Sequence, residues 1–413
     1  MPNQPNIHTT AALRLQNLAA HVRVGDGEDP EDPNERKNDG PWKSELDALR
    51  DRQNLARIPD PKNPGYIRQK EAGKLWIRER IDALVDAGSF REYGSIAGKA
   101  VYGDKSKPDM VTNFTPANFV AGNANLNGRP VIVGADDFSV RGGHADGAIA
   151  NKALYTEQLA LSFRIPMVRL IDGSSGGGSV TTLLEWGMYS LFGPLVRSLL
   201  NPRRLHSKGR TYIPPLIGMD TMIASLSEIP VVAAVLGPAV GLGAARAVLT
   251  HFSVIARSTG QLFAAGPPIV EHATFESVTK DELGGAEIQT ANGSIDNLAP
   301  DEKTCFEQLR RFLSYLPSST SRLPPAAAVW HAPNPPKALH LLIPHRRQRA
   351  FNVRTVVEGV VDQKSWFEIG EGWGDGVVVG LATLEGWPVG VLAGDCEKVG
   401  GVLTERGTAK LRW

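Results

Sequence analysis

Cysteine is scarce in this sequence of 413 residues, which contains only Cys305 and Cys396. Two thiols cannot build a disulfide framework or a four-cysteine zinc site, and such a low content is typical of a reducing compartment. No apolar run approaches the roughly 20 residues that a membrane-spanning helix requires. The formal net charge is only +1, so the overall charge favours neither a nucleic acid nor an anionic membrane as partner.

The motifs of several enzyme classes are missing as well. The sequence has no P-loop, no H-E-x-x-H and no C-x-x-C, and we therefore expect no metal centre. Gly241-x-Gly243-x-x-Arg246 is an incomplete dinucleotide fingerprint, because its third glycine and the later acidic residue are absent. The lack of a clustered acid, base and nucleophile indicates chemistry that depends on backbone N–H groups.

The first 66 residues are predicted to form a mobile polar leader. The run Gly-Glu-Asp-Pro-Glu-Asp-Pro at 27–33 is charged and rich in proline, which opposes regular structure. The preceding residues 1–24 contain Arg14 and Arg23 but no acid, and they resemble a weak mitochondrial presequence. Hydroxyl residues are few and no cleavage site is evident, so we expect a mitochondrial or a cytoplasmic protein.

The most informative stretch is 229–249. Its apolar run Val231–Leu236 predicts a buried strand, Gly237–Gly243 a turn, and Ala244–Leu249 a helix. This order places free backbone N–H groups at a helix N-terminus, where the negative oxygen of a phosphate or an enolate binds. Alternatively, the glycines only permit close packing of the helix on the strand.

A second glycine-rich stretch follows the predicted strand Val168–Ile171. In Asp172-Gly-Ser-Ser-Gly-Gly-Gly-Ser, Ser175 holds the nucleophile position of a G-x-S-x-G elbow, as in serine hydrolases. The nearest candidate bases are His251 and His272, and neither lies in a recognisable motif. A serine hydrolase is therefore the less favoured alternative.

Predicted helices and strands alternate along the chain. Helices are expected over 68–86 and 147–163, and strands over 131–134 and 168–171. The first of these strands follows a turn at Asn127-Gly128. The alternation predicts an α/β domain with a mainly parallel sheet or with stacked ββα units.

An internal repeat divides the chain. The stretch 380–393 matches 122–135 without a gap, including its glycine and Pro-Val positions. Further matches pair Asp86 with Asp362, Asp137 with Asp395 and Lys152 with Lys410. We therefore predict two copies of one domain: a complete copy at 67–322, and a linker with an incomplete copy at 323–413.

In aggregate the sequence resembles the carboxyltransferase (β) subunits of biotin-dependent acyl-CoA carboxylases, such as propionyl-CoA and methylcrotonyl-CoA carboxylase. The resemblance covers about residues 68–413 and is carried by the run from Gly73 to Phe90, Asn127-Gly-Arg-Pro-Val, Asp137-Phe-Ser-Val-Arg-Gly-Gly, Ser175-Gly-Gly-Gly, Gly237-Pro-Ala-Val-Gly-Leu-Gly-Ala-Ala, Gly266-Pro-Pro-Ile-Val, Glu282-Leu-Gly-Gly-Ala and Leu313-Ser-Tyr-Leu-Pro-Ser. It implies a crotonase/ClpP-like ββα superhelix, with one complete N-type carboxyltransferase domain and the start of a second copy.

The resemblance also implies a reaction, in which carboxylate moves from carboxybiotin to the α-carbon of a short acyl-CoA (propionyl-, acetyl- or methylcrotonyl-CoA). By motif match, the backbone N–H groups of Gly241 and Leu242 form the oxyanion hole for the thioester enolate. The same match assigns substrate binding to Gly142, Gly143, Ser175, Gly176, Gly177, Gly178, Gly237 and Ala239. No Ala-Met-Lys-Met motif occurs here, so biotin is expected on a separate biotin carboxylase and carrier subunit. The resemblance also implies that the intact family member is a homo-oligomer.

Two departures from the family pattern qualify this prediction. Residues 186–208 form an insert, apolar and then basic, that matches nothing in the family. The second copy stops before the glycines that would hold biotin, so we expect little or no carboxyltransferase activity from this chain alone. The alternative is a truncated, catalytically incompetent crotonase-fold fragment that binds CoA or pairs with intact subunits.

Overall fold

The computed structural model describes residues 42–103, 111–143, 150–173, 219–326, 339–346 and 348–412. The chain forms two compact units, Met1–Arg52 and Gln53–Trp413. Of the first unit, the described part contains the beginning of helix α1 (Lys43–Arg57). A helix therefore lies inside the predicted leader, where the sequence suggested no regular structure.

The other elements of the described chain belong to the second unit. Its α-helices are α2 (Pro64–Glu71), α3 (Ile77–Leu84), α4 (Ala150–Phe163), α5 (Met219–Glu228), α6 (Leu242–Val248), α7 (Pro267–Thr274), α8 (Lys280–Gly284), α9 (Ala286–Ala291), α10 (Glu302–Tyr315), α11 (Leu339–Leu342), α12 (Val353–Val360) and α13 (Glu405–Arg412). Its strands are β1 (Arg91–Tyr93), β2 (Gly98–Tyr102), β3 (Val111–Pro116), β4 (Phe119–Leu126), β5 (Arg129–Asp136), β6 (Met167–Gly173), β7 (Val231–Val240), β8 (Phe252–Ala256), β9 (Gln261–Phe263), β10 (Asn297–Ala299), β11 (Phe367–Ile369), β12 (Val377–Leu384) and β13 (Trp387–Gly394).

The main sheet of the described residues has the order β1-β4-β5-β6-β7-β8-β10, and β9 pairs with β7. Strands β1, β4 and β5 pair antiparallel, whereas β5, β6, β7, β8 and β10 run parallel to one another. This confirms the predicted α/β architecture. The parallel strands end at one edge of the sheet, where β6 and β7 bring Gly173 opposite Ala239.

The core lies between this sheet and the helices that cover it. Strand β7 is buried from Val231 to Leu236 because the sheet faces helices on both sides. The rings of Phe252 on β8 and Phe312 on α10 stack with their centroids 4.7 Å apart. The amphipathic stripe of α10 therefore fixes its position on the parallel strands.

Three features of these elements differ from the prediction. The helix expected over 68–86 is split into α2 and α3, because Gly73 adopts φ 71° between them. Strand β7 was expected to end at Leu236, but it continues through Gly237 and Pro238 to Val240. Residues 238–240 remain extended because they pair with β9, a partner that is distant in the sequence. The helix after the turn begins at Leu242 rather than Ala244.

The internal repeat is visible in the backbone. In the first copy the Asp86 carboxylate accepts the two N–H groups of the β4–β5 turn at 2.9 and 2.7 Å. In the second, the Asp362 carboxylate accepts the two N–H groups of the β12–β13 turn at the same distances. Gly142 (φ 64°, ψ 27°) and Gly400 (φ 65°, ψ 19°) occupy equivalent short 3-10 turns. The described part of the second copy thus folds as the first does.

Candidate functional site

The turn between β7 and α6 has a backbone that only glycine adopts readily. Gly241 has φ 58° and ψ −115°, which lies outside the regions open to residues with a Cβ. Its N–H donates to the Phe263 carbonyl on β9 at 3.2 Å. Leu242 is the first residue of α6, so its N–H has no acceptor within the helix. The turn therefore presents at least one oriented backbone donor at the carboxyl edge of the sheet.

Three of the positions that the sequence predicts for substrate binding meet around Asp172, near the end of β6. A Cβ at Gly143 would lie 2.9 Å from the Gly173 Cα, and one at Gly237 would collide with the Asp172 carboxylate. Ala239 pairs with Gly173 in the sheet. Only glycine fits at 143 and 237, and this close approach draws the three segments together.

A buried network of two cations and two carboxylates supports this junction. The Asp172 Oδ2 atom accepts from Lys74 Nζ at 2.5 Å and from the Arg80 guanidinium at 2.7 Å. The same guanidinium forms a bidentate pair with Glu302 at 3.1 and 2.6 Å. Burial lowers the pKa of Lys74, although the neighbouring Asp172 carboxylate opposes the change. Because buried pairs are costly to break, the network links α3, β6 and α10 rigidly.

A second set of ion pairs fixes α6 behind the turn. Arg246 on α6 donates to Asp136 at 3.1 Å, and Arg169 on β6 pairs with Glu157 at 2.8 Å. Arg169 also donates to the carbonyls of Arg246 and Leu249 at the end of α6, at 2.9 and 2.7 Å. A cation at a helix C-terminus stabilises it through its unpaired carbonyls. These contacts hold the C-terminal half of α6 and so support the turn from behind.

Of the remaining residues that the sequence singled out, some lie outside the described chain and others have a structural role. Ser175, Gly176, Gly177 and Gly178, like the insert at 186–208, lie outside the described residues. Gly142 lies in the 3-10 turn next to Gly143.

His251 uses both ring nitrogens in contacts with the backbone: Nδ1 accepts from the Val231 N–H at 3.0 Å, and Nε2 lies 2.9 Å from the Leu226 carbonyl. Since both nitrogens are engaged, His251 is a structural residue and a poor base for the hydrolase alternative.

The network itself was not predicted from the sequence; its members are Lys74, Arg80, Asp172 and Glu302. A signal was present, because Arg80 interrupts the apolar stripe of α3 between Ile77 and Ile81. Its acidic partners could not be found from spacing, since Glu302 lies 222 residues away.

Across the described ranges no group of three His, Cys, Asp or Glu side chains could hold a metal ion. Nor does that part of the chain contain a helix long and apolar enough to cross a membrane.

Comparison with known proteins places the chain in a family. A model described as "Carboxyl transferase domain" matches residues 68–188 and 216–412 and leaves out most of the predicted insert. The propionyl-CoA carboxylase carboxyltransferase subunit of Haloferax mediterranei is 28% identical over 354 residues, which are 84% of this chain and 62% of that protein. The biotin-dependent 3-methylcrotonyl-coenzyme A carboxylase beta1 subunit of Mycobacterium tuberculosis is 31% identical over 79% of this chain and 56% of its own length. The chain thus spans less than two thirds of either relative.

Solved structures show the same fold. A structure of transcarboxylase 12S with methylmalonyl-coenzyme A bound superposes with a TM-score of 0.70 at 24% identity, over 89% of this chain and 66% of that one. A single-chain, multi-domain long-chain acyl-CoA carboxylase superposes with a TM-score of 0.69 at 25% identity, over 89% of this chain and 34% of that one. The predicted crotonase-like carboxyltransferase fold is confirmed, and the chain belongs to the carboxyl transferase domain family.

Proposed function

We propose that this chain binds a short acyl-CoA and stabilises the enolate of its thioester, as the acyl-CoA half of a biotin-dependent carboxyltransferase. The observation that carries the proposal is the turn at Gly241. Its φ of 58° and ψ of −115° orient the backbone donor of Leu242 at the carboxyl edge of the parallel sheet. Ligands of α/β proteins characteristically bind at this edge.

The chemistry requires donors for a developing negative oxygen. Loss of the α-proton places negative charge on the thioester oxygen, and one preorganised N–H stabilises such charge by about 2.7–4 kcal/mol. Leu242 supplies one donor directly. The Gly241 N–H, assigned as the second donor, donates to Phe263 at 3.2 Å and must share or exchange this bond to reach a substrate.

The surrounding residues position the donors. The network of Lys74, Arg80, Asp172 and Glu302 keeps the ends of β6 and β7 in place, and the Arg246–Asp136 pair keeps α6 in place. When bound, biotin carried on a separate subunit would supply the carboxyl group and accept the α-proton. We therefore propose a biotin-carrying subunit and further copies of this chain as partners, in a mitochondrial or cytoplasmic location.

The proposal is tested by titrating propionyl-CoA into the chain in a calorimeter. Replacing Gly241 by Val forces a β-branched residue into a conformation closed to it, so affinity should fall at least about tenfold. The matched control is Gly128→Val, at a positive-φ glycine in the β4–β5 turn with nothing within 4 Å of an added Cβ. Circular dichroism checks that both variants fold, and equal affinity of the wild type and Gly241→Val would reject the site.

A second candidate function follows from the coverage, because the chain spans only 62% and 56% of the lengths of two relatives. It is a CoA-binding fragment without turnover that pairs with intact subunits. Incubation of the purified chain with propionyl-CoA and carboxybiotin distinguishes the two candidate functions. Product formation favours a carboxyltransferase, whereas binding without product favours the fragment.

A further inference from the structure

A cavity of about 500 Å³ lies at the edge of the sheet opposite the glycine turn. Its floor is the start of β5 and the residues that precede β6, and its wall is the segment after α10. Because β5, β6 and β7 run parallel, the starts of these strands and the Gly241 turn are at opposite edges. The cavity is therefore distinct from the proposed acyl-CoA site.

Three arginines and three serines give this cavity its chemistry, and we name it the serine–arginine cavity. Its polar lining is Arg129, Arg164, Arg322, Ser318, Ser319 and Ser321. Arg164 pairs with an acid, Glu228, whose carboxylate lies 3.4 Å from its guanidinium. Within the described parts of the chain, no carboxylate lies within 4.0 Å of Arg129 or Arg322. The cavity thus carries an excess of positive charge.

Arg129 shows why this charge needs a counterion. Its half-buried guanidinium donates to the Leu313 carbonyl at 2.5 Å and to the Ser318 hydroxyl at 3.5 Å, both neutral acceptors. Burial lowers the pKa of Arg129, and no acid compensates for the lost hydration. A partly desolvated cation with only neutral acceptors favours an external anion.

The backbone and the hydroxyl groups are arranged in keeping with this role. Arg164 adopts φ 54° at the end of α4, a conformation that glycine accepts without strain and arginine does not. This residue closes α4, because the N–H groups of Arg164 and Ile165 donate to the Leu161 and Ala160 carbonyls at 3.2 Å. The hydroxyls of Ser319 and Ser321 lie 2.9 Å apart, and Ser319 is buried. Arginine forks and serine hydroxyls together match the oxygens of a phosphate group.

The same cavity has an apolar side. Phe163 and Leu323 belong to its lining, and they are 59% and 84% exposed. Exposed apolar side chains next to a cationic cluster fit a ligand with an anionic end and an apolar end. We propose that the serine–arginine cavity binds a small organic phosphate, with its phosphate on the arginines and its apolar part on Phe163 and Leu323.

The test uses phenyl phosphate and inorganic phosphate as probes in calorimetry at low ionic strength. We expect saturable binding of phenyl phosphate at one site, tighter than inorganic phosphate and weakened by added salt. Arg322→Gln should weaken phenyl phosphate about tenfold, since one charge-assisted contact is lost. The matched control is Arg257→Gln, an arginine that is similarly exposed on another part of the surface and pairs with Glu287.

The outcomes are separable from those of the proposed function. Gly241→Val should retain phenyl phosphate binding, because the cavity does not involve that turn. Arg322 makes no ion pair within the described chain, so its substitution leaves the fold intact. Absence of saturable binding, an unchanged affinity in Arg322→Gln, or an equal loss in Arg257→Gln would each overturn the proposal.

Discussion

His251 illustrates how a single residue with catalytic potential serves the fold instead. Its ring connects the start of β7 to the end of α5, because it accepts from the Val231 N–H and its other nitrogen contacts the Leu226 carbonyl. Burial lowers the pKa of His251 below its ordinary value of 6.5, although the contact of Nε2 with the Leu226 carbonyl opposes the change. The neutral ring is therefore the form that the native state favours.

This leads to a prediction about pH. The unfolded chain, with the higher pKa at this position, binds more protons than the native chain, so stability is lost as the pH falls below about 6.5. His251→Asn cannot titrate, and its stability difference from the wild type should shrink between pH 7 and pH 5. Urea unfolding at several pH values measures this. Parallel pH profiles for the two proteins would contradict the prediction.

Some of the contacts between individual residues can be predicted from the sequence, and others cannot. Glycines at 143 and 237 were predicted for the site, and the structure shows that close approach to Asp172 demands them. The partners of Arg80 were not predicted, because Asp172 and Glu302 lie 92 and 222 residues away and the ion pairs exist only once the sheet has formed. Local spacing carries no information on such contacts.

At the scale of the element, the two hairpins show which turns are predictable. Asn127-Gly128 gives a strong local signal for a tight hairpin turn. Its counterpart, Glu385-Gly386, gives a weaker one and was found through the repeat. Both first positions adopt φ 51°, the left-handed region in which asparagine is tolerated better than glutamate. The end of β7 was predicted wrongly for a different reason, because pairing with β9 and with Gly173 of β6 keeps Pro238 to Val240 extended.

A stabilising substitution follows from the comparison of the hairpins. Glu385→Asn places in the second hairpin the residue that the first one has at this position, and it should stabilise the chain by about 0.5 kcal/mol. The Asp362 carboxylate accepts the N–H of residue 385 at 2.9 Å, and this backbone contact is kept. Denaturant unfolding measures the gain. The reciprocal change, Asn127→Glu, should destabilise by a similar amount, and a gain from both would contradict the argument.

At the scale of the whole second unit, the second repeat is held against the first by hydrogen bonds to its backbone and by one aromatic contact. Arg311 on α10 donates to the Lys364 carbonyl at 2.9 Å, and the Tyr315 hydroxyl donates to the Ser365 carbonyl. The Phe367 ring lies edge-on to Phe252 at 5.4 Å. The Arg311 and Tyr315 contacts fix the backbone just before β11, and the Phe367 ring anchors β11 itself in the apolar core.

Asn297 makes the most directional of these contacts. Its amide donates to the Glu368 carbonyl at 3.1 Å and accepts from the Gly370 N–H at 2.9 Å, so it pairs with β11 as another strand would. Losing both bonds leaves the Glu368 carbonyl and the Gly370 N–H without this partner, which costs about 1–3 kcal/mol for each group left unsatisfied. The amide therefore couples the end of the first copy to the sheet of the second.

Hydrogen exchange tests this coupling. Asn297→Ala should raise exchange in residues 367–370, while β5, β6 and β7 keep the protection of the wild type, because the main sheet has its own core. The matched control is Asn125→Ala, an exposed asparagine on β4, which should leave both regions unchanged. If exchange rises equally throughout the main sheet, the two copies unfold as one unit. If 367–370 stays protected, the apolar contact of Phe367 alone is sufficient to hold the second copy in place.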